Sequence, residues 1–251
     1  MNYWTQSKNN IFVAAHRGWK SKYPENTMEA FEKALTLGVD QIETDVRMTS
    51  DGELVLIHDS TVDRTTNGTG NVCNMTFEEI RALDAGNGNK VPTFIEFMDL
   101  VKNHPTLTID IELKVYPVDG FEKDAYYICD KVIETVEKYN FADRCVLNSG
   151  HGKLLEYIHE KYGNKYKTHT YFPLPDKDSS NFIKSAYCGC VFGIIEGNIT
   201  ADEVKKISKE TGVRVWAGTY AKNEDAINKC IEMDTELITC NNPDEVLEIL
   251  R

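Results

Sequence analysis

In Thr108-Ile-Asp-Ile-Glu-Leu-Lys-Val115 charged and apolar residues alternate. On a strand, alternate side chains share a face. Asp110, Glu112 and Lys114 then point one way, and Ile109, Ile111, Leu113 and Val115 the other. Gln41-Ile-Glu-Thr-Asp-Val-Arg47 repeats the pattern, with Glu43, Asp45 and Arg47 opposite Ile42 and Val46. A solvated edge strand would account for one such run. Two inward-facing carboxylate clusters in one fold are costly unless a cation compensates them. Glu43, Asp45 and Glu112 form an oxygen-rich donor set suited to one divalent cation, Mg2+ or Ca2+. Zinc fits less well, because no Cys or His pair sits at zinc-ligand spacing.

Two histidines follow expected strands. His16 comes after Ile11–Ala15, and His58 after Leu54–Ile57. Taken singly, each is as well explained as a structural residue. Together, beside the carboxylate strands, they read as a general acid and base. Arg17 follows His16 and Lys114 ends the charged run, so both are placed to neutralise a phosphate and charge developing on it. The bland alternatives are a surface salt bridge for Arg17 and an internal ion pair with Asp110 for Lys114. His104, His151, His159 and His169 are given no role.

These residues need elements to bring them together. Apolar runs expected as strands lie at Ile11–Ala15, Gln41–Val46, Leu54–Ile57, Leu107–Leu113, Cys145–Asn148, Lys167–Tyr171, Cys190–Ile194, Val213–Trp216 and Leu237–Thr239. Amphipathic segments separate most of them. Met28, Phe31 and Leu35 recur at helical spacing, as do Phe121, Ala125, Ile128, Val132 and Val136. The alternation predicts an α/β fold with a parallel sheet and crossover helices. Its 251 residues and number of repeats favour closure into a single-domain TIM (β/α)8 barrel spanning 1–251. No Gly-x-Gly-x-x-Gly follows the first strand, which disfavours a dinucleotide site. A small insertion, about 59–105, breaks the rhythm after the second barrel strand region. It carries two capping-box patterns, Thr76 with Glu79 and Thr93 with Glu96.

A net charge of −12 argues against nucleic-acid binding. It also means that an anionic substrate needs local cations. The polar stretch Met1–Asn10 has no apolar signal core, and no apolar run approaches the roughly 20 residues of a spanning helix. The chain is expected to be cytoplasmic, with no stable membrane insertion and with its seven scattered cysteines reduced.

The ordered set His16-Arg17-Gly18, Pro24-Glu25-Asn26-Thr27, Glu43-x-Asp45-Val46, Thr49-x-Asp51-Gly52, His58-Asp59, Arg64-Thr-Thr-Asn-Gly-x-Gly70 and Ile111-Glu112-Leu113-Lys114 resembles the glycerophosphodiester phosphodiesterase family. The match is dense from Ala14 to Lys114 and thin beyond, resuming at Trp216 and Asn241-Asn-Pro243. The resemblance implies a TIM barrel, with metal ligands at Glu43, Asp45 and Glu112, acid-base histidines at His16 and His58, and phosphate contacts at Arg17 and Lys114. It implies that Trp216 lines the glycerol side, where a plain barrel-core aromatic is the rival reading. It further implies hydrolysis of a small glycerophosphodiester to sn-glycerol 3-phosphate and an alcohol, with water or the glycerol 2-hydroxyl as nucleophile. Three places depart from the family pattern: Ala217-Gly218-Thr219 after Trp216, Cys240-Asn241, and Ser149-Gly150. All lie on the alcohol side and leave the metal ligands and histidines intact. The rival functions are a lysophospholipase D-like enzyme, for which Phe94, Ile95, Phe97 and Met98 would form a membrane-facing lip, and a non-catalytic barrel that binds a phosphorylated ligand.

Overall fold

The computed structural model describes residues 11–118, 120–172, 186–190, 200–218, 221 and 223–251; of Phe172 and 186–190 it describes the backbone. Eight parallel strands form a closed ring. They are β1 (Phe12–His16), β2 (Gln41–Met48), β4 (Thr108–Leu113), β5 (Cys145–Asn148), β6 (Lys167–Phe172), β7 (Ala186–Cys190), β8 (Arg214–Ala217) and β9 (Leu237–Cys240). β1 pairs with both β9 and β2, which closes the barrel. The ninth strand, β3 (Leu54–Leu56), lies outside the ring. It runs antiparallel to the end of β2, with Val46 opposite Leu56.

Register sets the level of each inward side chain. His16 on β1 is opposite Glu43 on β2, which is opposite Asp110 on β4. One step higher, Asp45 is opposite Glu112, Glu112 opposite Asn148, and Asn148 opposite His169. Phe12, Ala14, Val146, Trp216 and Leu237 fill the barrel below this polar tier. The opposite face of β4, Ile109, Ile111 and Leu113, is fully buried in the core between barrel and helices. The alternation read from the sequence therefore separates a dry outer seam from a charged interior, and all six β4 residues are buried.

The helices follow from capping and apolar stripes. In α1 (Met28–Thr36), Thr27 accepts from the Ala30 N–H, and Ala30, Phe31 and Ala34 face inward. α2 (Phe77–Ala82) and α3 (Phe94–Val101) both open with the expected capping boxes. Such a cap is worth about 1 kcal/mol. α4 (Glu122–Lys138) buries Ala125, Ile128, Val132 and Val136, whereas Phe121 sits at its N-cap, exposed. α5 (Gly152–Tyr162), α6 (Ala201–Thr211), α7 (Glu224–Glu232) and α8 (Pro243–Leu250) complete the described helices.

A strand is described at Ala186–Cys190; of the one expected at Cys190–Ile194, residues 191–194 lie outside the described residues, as does Thr219. The membrane-facing lip that the rival lysophospholipase D-like reading would need is not formed, and the spacing of Phe94, Ile95, Phe97 and Met98 is that of a packed helix. Phe94, Phe97 and Met98 are fully buried, and Phe97 packs edge-on to Phe31 of α1 with ring centroids 4.9 Å apart. α3, at the end of the irregular segment, thus belongs to the helix layer. Between β2 and α3, Val55, Ile57, Val62, Val72, Ile80, Ala85 and Val91 form a small core of their own.

Candidate active site

The loop after β1 is shaped by two consecutive left-handed residues, Arg17 at φ 56° and Gly18 at φ 78°. A Cβ at Gly18 would meet the Ala30 carbonyl carbon at 2.7 Å, so only glycine lets this turn press on α1. Arg17 has a Cβ, and holding it in this region costs on the order of 1 kcal/mol or more. Its backbone N–H donates to both the Glu43 carbonyl and Glu43 Oε2, each at 3.0 Å. Asn26, also left-handed at φ 56°, donates to Asp45 Oδ2 at 2.8 Å and accepts from Thr44 Oγ1 at 2.9 Å. These contacts account for the His-Arg-Gly and Pro-Glu-Asn-Thr segments, which hold the β2 carboxylates.

Glu43, Asp45 and Glu112 each present a carboxylate oxygen within 4.8 Å of the others. Glu43 Oε1 and Asp45 Oδ1 are buried and have no hydrogen-bond partner. Lys114 Nζ lies 2.5 Å from Glu112 Oε1 and 3.4 Å from Asp45 Oδ1. Arg17 Nε lies 3.0 Å from Asp45 Oδ2, and its Nη1 2.9 Å from Glu25 Oε1. Burial, then the charge of Asp45, pushes the Glu43 carboxyl well above its ordinary range. Burial also acts against ionised Asp45, but Lys114 and Arg17 outweigh it and hold that carboxyl low. Glu43, Asp110 and Glu112 line one cavity with Arg17 and Lys114, and the buried Asp45 pairs with both of these cations. Unpartnered hard oxygens in an excess of negative charge fit a divalent metal.

His16 and His58 both line this cavity of about 300 Å3. His16 Nδ1 lies 2.6 Å from Asn241 Oδ1, an acceptor only, so Nδ1 carries the proton and Nε2 a lone pair. Nε2 is 3.8 Å from Glu43 Oε2. Burial, then Arg17, depresses the His16 pKa to about 3, and the ring is neutral. His58 Nδ1 lies 2.6 Å from Asp59 Oδ1. Burial lowers its pKa too, while Asp45 and Asp59 favour the charged ring. His58 does not end a barrel strand as the sequence suggested; it follows the antiparallel β3. Arg47 fixes this return by donating to the His58 carbonyl at 2.9 Å and to the Lys114 carbonyl at 2.7 Å. The turn between β2 and β3 is pinned as well: Asp51 Oδ1 accepts from Thr49 Oγ1 at 2.6 Å and from the Phe77 N–H of α2 at 2.9 Å.

The model of the glycerophosphoryl diester phosphodiesterase family matches residues 16–245. The chain belongs to that family. A glycerophosphodiester phosphodiesterase of Caldanaerobacter subterraneus subsp. tengcongensis is 33% identical over 95% of this chain and 97% of its own length. One from Bacillus altitudinis is 40% identical over 59% of this chain and 61% of its own. Two solved structures share the fold. A glycerophosphodiester phosphodiesterase from Parabacteroides distasonis has a TM-score of 0.80 at 20% identity, covering 97% of this chain and 98% of that one. An Oleispira antarctica phosphodiesterase in complex with the product sn-glycerol-3-phosphate has a TM-score of 0.80 at 19% identity, covering 95% and 96%. The resemblance read from the motifs thus holds, and with it the TIM-barrel fold and the enzyme class, a glycerophosphodiester phosphodiesterase.

Of the residues that the sequence singled out, His16, Arg17, Glu43, His58, Glu112, Lys114 and Trp216 line the cavity, and Asp45 lies in the carboxylate cluster with Glu43 and Glu112. Lys114 pairs with Glu112 and Asp45 rather than Asp110, because residues two apart share a face and Asp45 stands opposite Glu112. Arg17 is 8% exposed, which removes the surface-bridge reading. Trp216, 2% exposed, belongs to the barrel's apolar floor and also lines the cavity. Sequence reasoning placed Asp110 on the inward face without a role and missed Asn148, His169 and Tyr171, all cavity residues. Tyr171 donates to Glu112 Oε2 at 3.0 Å. The alternation Lys167-Thr-His169-Thr-Tyr171 was the available signal, hidden because both faces of the run are polar. His151 begins α5 and does not line the cavity. The departure at Cys240-Asn241 keeps its use, since Asn241 sets the His16 tautomer.

Proposed function

We propose that this chain hydrolyses small glycerophosphodiesters to sn-glycerol 3-phosphate and an alcohol with one Mg2+ or Ca2+ held by Glu43, Asp45 and Glu112, and with His16 and His58 transferring protons. The observation that carries this reading is the carboxylate cluster of Glu43, Asp45 and Glu112, in which one buried oxygen of Glu43 and one of Asp45 accept no hydrogen bond. Bound there, a hard cation supplies Lewis acidity towards a non-bridging phosphate oxygen.

The protein groups divide the remaining work. Arg17 and Lys114 hold the phosphate and balance charge that builds on it. Neutral His16 accepts at Nε2 the proton of the attacking hydroxyl; attack by water gives sn-glycerol 3-phosphate directly, whereas attack by the glycerol 2-hydroxyl gives a cyclic phosphate that water then opens. His58, its Nδ1 held by Asp59, donates a proton from Nε2 to the leaving alkoxide. Trp216 offers an apolar surface to the carbon side of the glycerol. The acidic balance argues against a nucleic-acid partner, and the described helices include none long and apolar enough to cross a membrane. Free Cys73, Cys129, Cys145, Cys230 and Cys240 suit a reducing, cytoplasmic setting.

The direct test strips the protein of metal, adds glycerophosphocholine with or without Mg2+ or Ca2+, and measures glycerol 3-phosphate. Release restored by metal supports the proposal. No release with either ion, from folded protein, would overturn it.

A further inference from the structure

One wall of the cavity carries a second histidine–carboxylate pair that the scheme above does not use. His169 Nδ1 lies 2.7 Å from Asp110 Oδ2, and both side chains are buried. The carboxylate accepts from Nδ1–H, and in the neutral ring this leaves Nε2 with its lone pair. Nε2 is buried with no hydrogen-bond partner, and so is Asp110 Oδ1. An unmatched buried acceptor costs about as much as a lost hydrogen bond, so a ligand donor satisfies it with gain. The ring is fixed edge-on to Trp216, with centroids 5.1 Å apart and planes at 63°, and lies 5.6 Å from the Tyr171 ring.

This wall therefore offers acceptors beside an aromatic face, in a cavity that the cations Arg17 and Lys114 also line. Acceptors without donors repel phosphate oxygens and attract O–H groups. A polyol's C–H side would rest on Trp216 while its hydroxyls face His169 and Asp110. We infer that His169, oriented by Asp110, accepts a hydrogen bond from a hydroxyl of the substrate's glycerol moiety and so selects hydroxyl-bearing phosphate esters and sets their direction in the cavity. This rests on the proposed glycerophosphodiester reading for its substrate, but not on turnover.

The test is binding. With Mg2+ or Ca2+ in excess, calorimetry compares sn-glycerol 3-phosphate with ethyl phosphate, which has no free hydroxyl. The variants are His169→Met, which keeps volume and removes the acceptor, and His169→Gln, which keeps a polar end. The wild type is expected to bind glycerol 3-phosphate about tenfold more tightly than ethyl phosphate, the scale of one or two satisfied acceptors. In His169→Met that preference falls to within about twofold, with ethyl phosphate unchanged, and His169→Gln recovers part of it. Equal weakening of both ligands, an unchanged preference in His169→Met, or no preference in the wild type would each overturn the inference. A protein that shows the preference yet releases nothing from glycerophosphocholine would uphold it and sink the proposed hydrolysis.

Discussion

Arg64 grips both oxygens of Glu25, Nη2 to Oε1 at 2.7 Å and Nη1 to Oε2 at 3.0 Å. Glu25 belongs to the loop after β1 and Arg64 to the segment between β2 and α3, so the pair fastens one to the other. The same guanidinium holds Asp59, the partner of His58, through Nε at 2.6 Å. Glu25 in turn holds Arg17. Arg64→Ala should cost at most about 1 kcal/mol of stability, because Arg64 is half exposed. It should lower kcat by roughly tenfold, since both His58 and Arg17 lose their outer support. Urea unfolding and steady-state kinetics on glycerophosphocholine check both; unchanged kcat would show that the anchor does not reach the chemistry.

Removing one carboxylate separates binding from stability. Glu43→Gln should raise the melting temperature of metal-stripped protein, because it deletes a charge that burial and Asp45 disfavour. It should also abolish the gain on adding Mg2+ or Ca2+. In the wild type, metal at about 100 times its Kd adds roughly 2.7 kcal/mol, or about 5–10 °C for a chain of this size. Calorimetric scans with and without metal decide it.

The two histidines should respond differently to the leaving group. His16→Ala and His58→Ala should each lower turnover of glycerophosphocholine by about 10²–10⁴. With a p-nitrophenyl glycerophosphodiester, whose leaving phenolate needs no proton, the His58→Ala loss should shrink to within about tenfold and the His16→Ala loss should not. The opposite pattern would exchange their roles.

His16 also predicts a pH dependence of folding. Its folded pKa, about 3, lies below its ordinary value of 6.5. The unfolded chain thus binds a proton in this window that the folded chain refuses, and stability is lost as pH falls from about 6.5 to about 3. Metal-free wild type should lose melting temperature over this interval faster than His16→Gln. Parallel curves would mean that the buried ring is not held neutral.

The fold was legible because its signals are local. Alternation on β2 and β4 assigns faces, Thr76 and Thr93 mark helix starts, and Ala125, Ile128, Val132 and Val136 mark a stripe. The carboxylate cluster was legible for the same reason, since Glu43, Asp45 and Glu112 lie on two runs that carry Ile42 and Val46, and Ile109, Ile111 and Leu113, on their opposite faces. His169 escaped because β6 is polar on both faces, and its purpose appears only when Asp110, 59 residues earlier, comes to lie beside it. The position of His58 escaped for a related reason. Leu54–Leu56 has a barrel strand's composition, and only its hydrogen bonds reveal that it runs backwards.

That reversed strand divides the machinery between two structural authorities. His16 is delivered by the barrel itself. His58 arrives on an appendage with its own small core, hung from β2 and secured by Arg47 and Arg64. On the proposed mechanism, a barrel that has closed while its appendage is undocked holds metal ligands but lacks one proton donor. Catalytic competence is then a conjunction of two folding events, and turnover reports the later of them, whichever that is.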